Sequence, residues 1–525
     1  MSSIPLRPFS RSRVWAPTAT EAAAFDRVAI EQGVPQDVLI ECAGRCAAEI
    51  LDRLFPHGEV LAFIGSGNNG GDGLVMLRTL YAWGRPVRAV LVADRDQEDL
   101  LRGWNIPFET DDRLEQDSGH LDTVLRAASV IVDGILGTGI VGPPRDRQAR
   151  AIQAINRSER PVFALDTPSG VSGDPGQIAG ESVDAEVTVA FGWPKLGTLL
   201  QPGRSRVGRL ISVEIGFPPV QDEGFGAAAT TPAWAIENWP RREPDAHKNS
   251  VGTLLLVAGR PGMAGAAVMA ARAALRSGVG LLRIASSSEN RSIIQESVPE
   301  AIFVSAEDAD RVREAASASQ AMGVGPGLGS GSDAGEFLAT VLAVSGGLPT
   351  VLDADALNLA SSGEGPGVAE WAADRRVLIT PHIGEMKRLS GLTSEAIEED
   401  RMRAARDLAK TTGVTVLLKG LPSIVMPPEG TCLVDTVATS DLAAGGMGDV
   451  LAGVAASLLA QGVGLDHAGA LALYGTGRAA ALAALGPSLT PSDVIGQLPL
   501  VGTEEGPGDS DLDHPFVIFD QDSAR

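Results

Sequence analysis

Along the first half of the chain, short apolar runs rich in β-branched residues alternate with segments of helical period. The runs are LAFIG (61–65), PVRAVLVAD (86–94), ASVIVDG (128–134), RPVFALD (160–166), AEVTVAFG (185–192) and GRLISVEIG (208–216). Between the first two, LVMLRTLYAWG (74–84) repeats its apolar residues at the spacing of one helix face. This alternation predicts a mainly parallel, doubly wound α/β sheet covered by helices. The pattern breaks over 217–245, where FPPVQDEGFGAAATTPAW carries Pro, Gly and Ala without period.

A second α/β series follows: VGTLLLVAG (251–259), AGAAVMAARAALRSG (264–278), VGLLRIAS (279–286), PTVLDAD (349–355), RRVLITP (375–381), VTVLLKG (414–420) and SIVMP (423–427). It closes on a glycine turn and a long apolar helix, GGMGDVLAGVAASLLAQG (445–462). The expected organisation is a disordered arm at 1–19, a domain at 20–220, a linker at 221–235, a second domain at 236–500 and a mobile acidic tail at 501–525. The two halves carry different motifs, which indicates a fusion and not a duplication.

Composition narrows the partners. The 525 residues carry a formal charge of −23, from 43 Lys and Arg against 66 Asp and Glu. Such a surface repels phosphate backbones and anionic membranes. Three cysteines, Cys42, Cys46 and Cys432, provide neither a disulfide framework nor zinc spacing and point to a reducing, cytoplasmic setting. No apolar run approaches the roughly 18 residues of a membrane span.

The candidate chemistry sits where strands end. GSGNNGGDG (65–73) meets the GxGxxG spacing with Gly65, Gly67 and Gly70, yet no Lys follows to make a phosphate loop, and Asn68, Asn69 and Asp72 crowd the turn. Asp133 and then Gly137 follow one run, and Asp166 and Ser169 follow another. An amide oxygen, a carboxylate and a hydroxyl converging on one crevice make a hard-oxygen site for a weakly charged cation. Taken singly, these residues are also ordinary turn and capping residues. In the second half, GGMGD (445–449) opens the apolar helix. Inward backbone N–H groups and the helix N-terminus form an anion hole there, with Asp449 placed to take a proton from an attacking hydroxyl. The plainer alternative is a glycine turn capped by an Asp.

Together GNNGGDG, VDGILGTG (132–139), LDTPSG (165–170) and WPKLG (193–197) resemble the NAD(P)HX epimerase family. The resemblance implies a Rossmann-like domain that interconverts the R and S epimers of hydrated nicotinamide cofactors. By motif, Asn69, Asp133 and Ser169 would be potassium ligands. Asn68, Asn69, Gly70, Gly71, Asp72, Gly137, Thr138, Gly139, Ile140, Val141, Gly142, Pro143 and Asp166 would bind the hydrate. Asp166 and Lys195 are the candidate proton carriers, followed by Asp72. Thr167 stands where the family usually has Ile.

HKNSVGTLLLVAGRPGMAGA (247–266), GVGPGLG (323–329), LDADALNL (352–359), TPHIGEMKRL (380–389) and LLKGLPSIV (417–425) resemble the ADP- or ATP-dependent NAD(P)HX dehydratases of the ribokinase-like superfamily. The implied reaction phosphorylates the ring hydroxyl of the S epimer and eliminates phosphate, with magnesium carried by the nucleotide. By motif, Lys419, Gly420, Leu421, Pro422, Ser423 and Gly448 would contact the adenine nucleotide. Ala266, Gly327, His382 and Asp449 would contact NADHX or NADPHX, with Asp449 as catalytic base. Met447 and Ser423 depart from the usual residues but keep a backbone N–H and a hydroxyl. The expectation is therefore a bifunctional repair enzyme, with ADP or ATP as donor and a homo-oligomer left open. The alternative is a ribokinase-like vitamin kinase carrying a non-catalytic nucleotide-binding module.

Overall fold

The chain divides into two units, Met1–Ala233 together with Pro507–Arg525, and Trp234–Gly506. The structure, a computed structural model, describes residues 13–95, 101, 103–110, 118–139, 142–174, 176–220, 224–248, 250–437, 439–503 and 517–521.

In the first unit, β1 (Val14–Trp15) leads into α1 (Ala19–Glu31), which starts in a capping box of Thr18 and Glu21, and α2 (Gln36–Leu54). There follow β2 (Glu59–Ile64), α3 (Asn68–Ala82), β3 (Val87–Leu91), β4 (Phe108–Thr110) and α4 (Ser118–Ala127). The unit continues through β5 (Ala128–Gly134), α5 (Asp146–Arg157), β6 (Val162–Leu165), β7 (Val187–Phe191) and β8 (Arg209–Val213) to β9 (Ala227–Thr230), antiparallel to β1. The main sheet runs β4-β3-β2-β5-β6-β7-β8, parallel throughout. Its strands read as unbroken apolar runs because both faces are covered. Val60, Ala62 and Ile64 of β2 face one core with α2 and α3, while Leu61 and Phe63 face the other with α4 and α5. Strand order reverses between β2 and β5, and a doubly wound sheet opens its ligand crevice at that point.

In the second unit, β10 (Thr253–Val257) is followed by α6 (Ala264–Arg276), β11 (Leu281–Ser286), β12 (Ile302–Ser305), β13 (Ala321–Val324), β14 (Thr350–Leu352) and β15 (Val377–Ile379). Then come α7 (Ile383–Ser390), β16 (Thr415–Leu418), β17 (Ile424–Met426), β18 (Cys432–Asp435) and α8 (Met447–Ala460). The order is β12-β11-β10-β13-β14-β15-β16-β17-β18, parallel as far as β16 and antiparallel from there. The alanines of α6 let α8 approach closely: a Cβ on Gly453 would lie 2.2 Å from the carbonyl oxygen of Ala270.

Both units are α/β, and the first has the doubly wound sheet that the periodicity predicts. Three expectations about the flanking segments need correction. Within the arm assigned to 1–19, Val14 and Trp15 form β1. The linker assigned to 221–235 contains β9 and the start of the helix Pro232–Asn238. In the tail assigned to 501–525, Val517–Gln521 is a strand antiparallel to β8. These pieces are too short to show a period; pairing with a distant strand edge makes them strands. For the same reason β12 and β13 escape the periodicity.

Candidate functional site

The glycine turn of the first unit closes against the neighbouring strand end. A Cβ on Gly65 would lie 1.9 Å from the Ile135 carbonyl oxygen, and one on Gly70 would lie 2.1 Å from that of Gly65. Only glycine lets these backbones meet. Arg95 fastens the turn, donating from Nη1 to the carbonyls of Gly65 at 3.0 Å and Gly67 at 2.7 Å. Over it opens a cavity of about 620 Å³ at the switch point of the sheet. Asn68, Asn69, Asp72, Gly137, Thr138 and Gly139 line it, as do Asp166 and Lys195. An aromatic wall faces them: Trp193 and Phe217 are stacked with centroids 5.5 Å apart, and Phe25 of α1 meets both edge-on.

Lys195 and Asp166 form a buried ion pair. The Lys195 ammonium donates to Asp166 Oδ1 at 2.5 Å and to the Phe191 carbonyl at 3.0 Å. Asp166 holds φ at 62°, a left-handed conformation that suits a short polar side chain at a functional turn. Two further carboxyls share the cavity. Burial raises the pKa of Asp72 well above the usual range, with the Asp166 charge adding to it. The pKa of Asp26 is also raised, first by desolvation, although Lys195 lowers it in part.

Beneath the turn, Asp133 is fully buried. Its oxygens accept the Ser169 hydroxyl at 2.6 Å, the Ser169 N–H at 2.7 Å and the Ile135 N–H at 3.2 Å. Burial nevertheless pushes its pKa up to about 6, against those hydrogen bonds. Asn69 donates from Nδ2 to the Leu136 carbonyl at 2.8 Å, leaving its buried Oδ1 without a hydrogen-bond partner among the described residues. An orphaned amide oxygen, an underneutralised carboxylate, a hydroxyl and nearby carbonyls form a donor set that fits a potassium ion. Thr167, by contrast, buries a hydroxyl that has no hydrogen-bond partner among the described residues.

In the second unit, the carboxyl ends of β14, β15 and β16 face the start of α8. Lys419, just past β16, donates to Asp353 Oδ1 at 2.8 Å and lies 3.8 Å from Glu385 Oε2. Thr380 donates to the same Asp353 oxygen at 2.6 Å. Burial works against the Lys419 charge, but the Asp353 and Glu385 carboxylates outweigh it and raise its pKa. The glycine turn closes over this pair: a Cβ on Gly448 would lie 3.7 Å from Lys419 Nζ and 3.8 Å from Asp353 Oδ2. Gly446 supplies the left-handed residue (φ 89°) that starts α8. Asp449 follows, its pKa pushed up to about 7 by burial and then by the Asp353 charge. Glu385 is likewise raised to about 7 by burial, with Lys419 opposing.

Most residues taken from the motifs meet in these two places. Gly327 and Ala266 adjoin: a Cβ on Gly327 would lie 2.9 Å from Ala266 Cβ. His382 caps α7, its Nδ1 accepting the Gly384 N–H at 2.9 Å, and burial followed by the Lys419 charge lowers its pKa. Gly420 and Ser423 hydrogen-bond each other around Leu421 and Pro422. Gly70 and Gly71 lie against the Arg95 guanidinium, and Pro143 packs near Gly180. Gly142 is exposed, and Ile140 and Val141 lie outside the described residues. Asp26, Arg95, Trp193 and Phe217 had no role assigned from sequence, nor did Asp353 and Glu385. The last two were visible as carboxylates within LDADALNL and TPHIGEMKRL.

Fold and sites thus define a two-unit α/β protein, with a cavity lined by carboxyls and the Lys195–Asp166 ion pair in one unit and a glycine turn leading into Asp449 beside Lys419 in the other. Residues 36–197 match the family model described as YjeF-related protein N-terminus, and residues 254–499 match that of NAD(P)H-hydrate dehydratase. The bifunctional NAD(P)H-hydrate repair enzyme Nnr of Salinibacter ruber is 36% identical over 529 residues, covering 93% of this chain and 96% of the relative. That of Moorella thermoacetica is 35% identical, covering 87% and 90% respectively. The solved ADP/ATP-dependent NAD(P)H-hydrate dehydratase of Bacillus subtilis, co-crystallised with ATP and Mg2+, is 30% identical. It spans 51% of this chain and 95% of its own, with a TM-score of 0.45. The chain belongs to the family of bifunctional NAD(P)H-hydrate repair enzymes.

Proposed function

We propose that the chain repairs hydrated nicotinamide cofactors by two reactions. The N-terminal unit interconverts the R and S epimers of NADHX and NADPHX. The C-terminal unit phosphorylates the ring hydroxyl of the S epimer and expels phosphate, returning NADH or NADPH. Phosphate leaves far more readily than hydroxide, which explains how a kinase-type site performs a dehydration. The observation that carries this reading is the presence on one chain of the Lys195–Asp166 cavity and a glycine turn beside Asp449.

In the dehydratase site, Asp449 takes the hydroxyl proton as the ring oxygen attacks the terminal phosphoryl group. The N–H groups opening α8 and the Lys419 ammonium receive the charge that develops. A pKa near 7 suits a base that must both accept and release a proton at neutral pH. Magnesium, entering with ADP or ATP, supplies further neutralisation of the phosphates. In the epimerase cavity, Asn69, Asp133 and Ser169 would hold potassium, whose chemistry is to balance the buried Asp133 charge and order the turn. The charge of −23 supports small-molecule substrates over nucleic acid, and no described helix is long and apolar enough to cross a membrane. We assign the protein to the cytoplasm on its unpaired cysteines.

Incubating the purified protein with mixed R and S hydrates, magnesium and ADP or ATP tests the proposal. The expected result is recovery of the near-ultraviolet absorbance of reduced nicotinamide from both epimers. Accumulation of a phosphorylated product without that absorbance would favour the kinase alternative.

A further inference from the structure

We propose that Asp72 is the catalytic acid of the N-terminal cavity and that the Asp166 carboxylate is the base working against it. The inference rests on the epimerase reading above and assigns its proton transfers. Asp26, Asp72, Asp166 and Lys195 all line the cavity, but they are not equivalent. Asp166 is paired: the Lys195 ammonium sits 2.5 Å from Oδ1, and the Phe191 N–H donates to the same oxygen at 3.4 Å.

Asp72 has the opposite surroundings. It is 6% exposed, held on α3 at the cavity floor, and its carboxyl takes no hydrogen bond from any described residue. A buried carboxyl without donors stays protonated, since the neutral form avoids the cost of an unsolvated charge. Burial, first, and the neighbouring Asp166 charge act in that direction and outweigh the Lys195 and Arg95 cations, which oppose it. Asp26 also takes no hydrogen bond from a described residue, but it is exposed on α1, and the Lys195 charge offsets part of the rise that burial gives its pKa. One carboxyl buried without donors beside a second that is paired with an ammonium is the arrangement suited to joint acid and base work.

The step balances on these groups. Asp72 gives its proton to the ring hydroxyl, and the carbon–oxygen bond breaks with its electron pair leaving in water. The lone pair of the adjacent ring nitrogen forms a carbon–nitrogen double bond, making the carbon planar. Water then adds to the opposite face and its proton passes to Asp166, while Lys195 offsets charge. The reverse reaction uses the same groups in exchanged roles, and solvent returns the proton, so no oxidant or co-reactant is consumed.

The test uses the full-length Asp72→Asn and Asp72→Ala variants, with epimer exchange followed chromatographically without nucleotide and binding of the S hydrate measured by calorimetry. Asp72→Asn should slow exchange about 100-fold or more while its dissociation constant changes less than threefold. Formate, entering the space vacated in Asp72→Ala, should restore exchange in proportion to its concentration, a response that a structural role for Asp72 cannot produce. Exchange by Asp72→Asn within threefold of the parent would overturn the proposal. So would an Asp72→Ala variant that binds the hydrate yet ignores formate. A parent protein that does not exceed the uncatalysed exchange rate would instead remove the epimerase reading itself.

Discussion

The ammonium of Lys419 lies 2.8 Å from the buried carboxylate of Asp353 and 3.8 Å from that of Glu385. The pair sits under Gly448, one residue before Asp449, so its charge is felt by the proposed base. Burial is the main reason that Asp449 is pushed up to about 7, and Asp353 is the next. The base form exists above that value, so dehydration should rise as pH increases through about 7. Asp353→Asn removes one negative charge and should move this rise to lower pH. Steady-state rates across the pH range check it; an unmoved midpoint would show that Asp353 does not tune the base.

Asp449→Asn keeps the shape of the α8 entrance but cannot accept a proton. Dehydration of the S hydrate should fall by about 10²–10⁴-fold, while exchange between epimers continues. Loss of both activities together would contradict separate sites.

Lys195 and Asp166 are buried against each other, with side chains 8% and 13% exposed. Lys195→Met leaves a carboxylate unpaired and should cost about 3 kcal/mol of stability, read by denaturant unfolding. Asp166→Asn should confine repair to the S fraction of a mixed sample. Complete conversion of both epimers at the parent's exchange rate would rule out a role for Asp166.

Thr167 is 1% exposed and its hydroxyl has no partner among the described residues. Thr167→Val keeps the shape and removes the unsatisfied group, so unfolding should become harder by about 1 kcal/mol. Calorimetry of the two proteins decides the sign. A less stable Val variant would mean that the hydroxyl is bonded in solution.

The donor set of Asn69, Asp133 and Ser169 predicts that potassium stabilises the first unit. A cation at about 100 times its dissociation constant adds about 2.7 kcal/mol, visible as a higher unfolding temperature than in tetramethylammonium salt. Asp133→Asn should abolish the difference. An equal response in that variant would place the ion elsewhere.

The parts of this fold legible in sequence are those whose physics is local. Strands covered on both faces must be apolar throughout, which is why LAFIG and ASVIVDG stand out. The turns GSGNNGGDG and GGMGD are also legible, because close backbone approach at Gly65 and Gly70 and a left-handed start at Gly446 demand glycine itself. Asp166 and Lys195 were found through their motifs, and the structure joins them across 29 positions of chain.

Other features depend on which distant segments meet. Arg95 is an unremarkable surface cation in sequence, yet it ties down the turn of Gly65 and Gly67. Asp26 reaches the cavity only because α1 lies along it, and Val517–Gln521 becomes a strand only because β8 presents a free edge. The sequence by itself determined the α/β class, the two units and the residue types of both sites, since periodicity, backbone sterics and side-chain chemistry are written residue by residue. Tertiary structure alone decided the surroundings of each carboxyl. Asp72 and Asp166 are the same side chain, and only burial without donors at one, and an ammonium 2.5 Å away at the other, sets them apart.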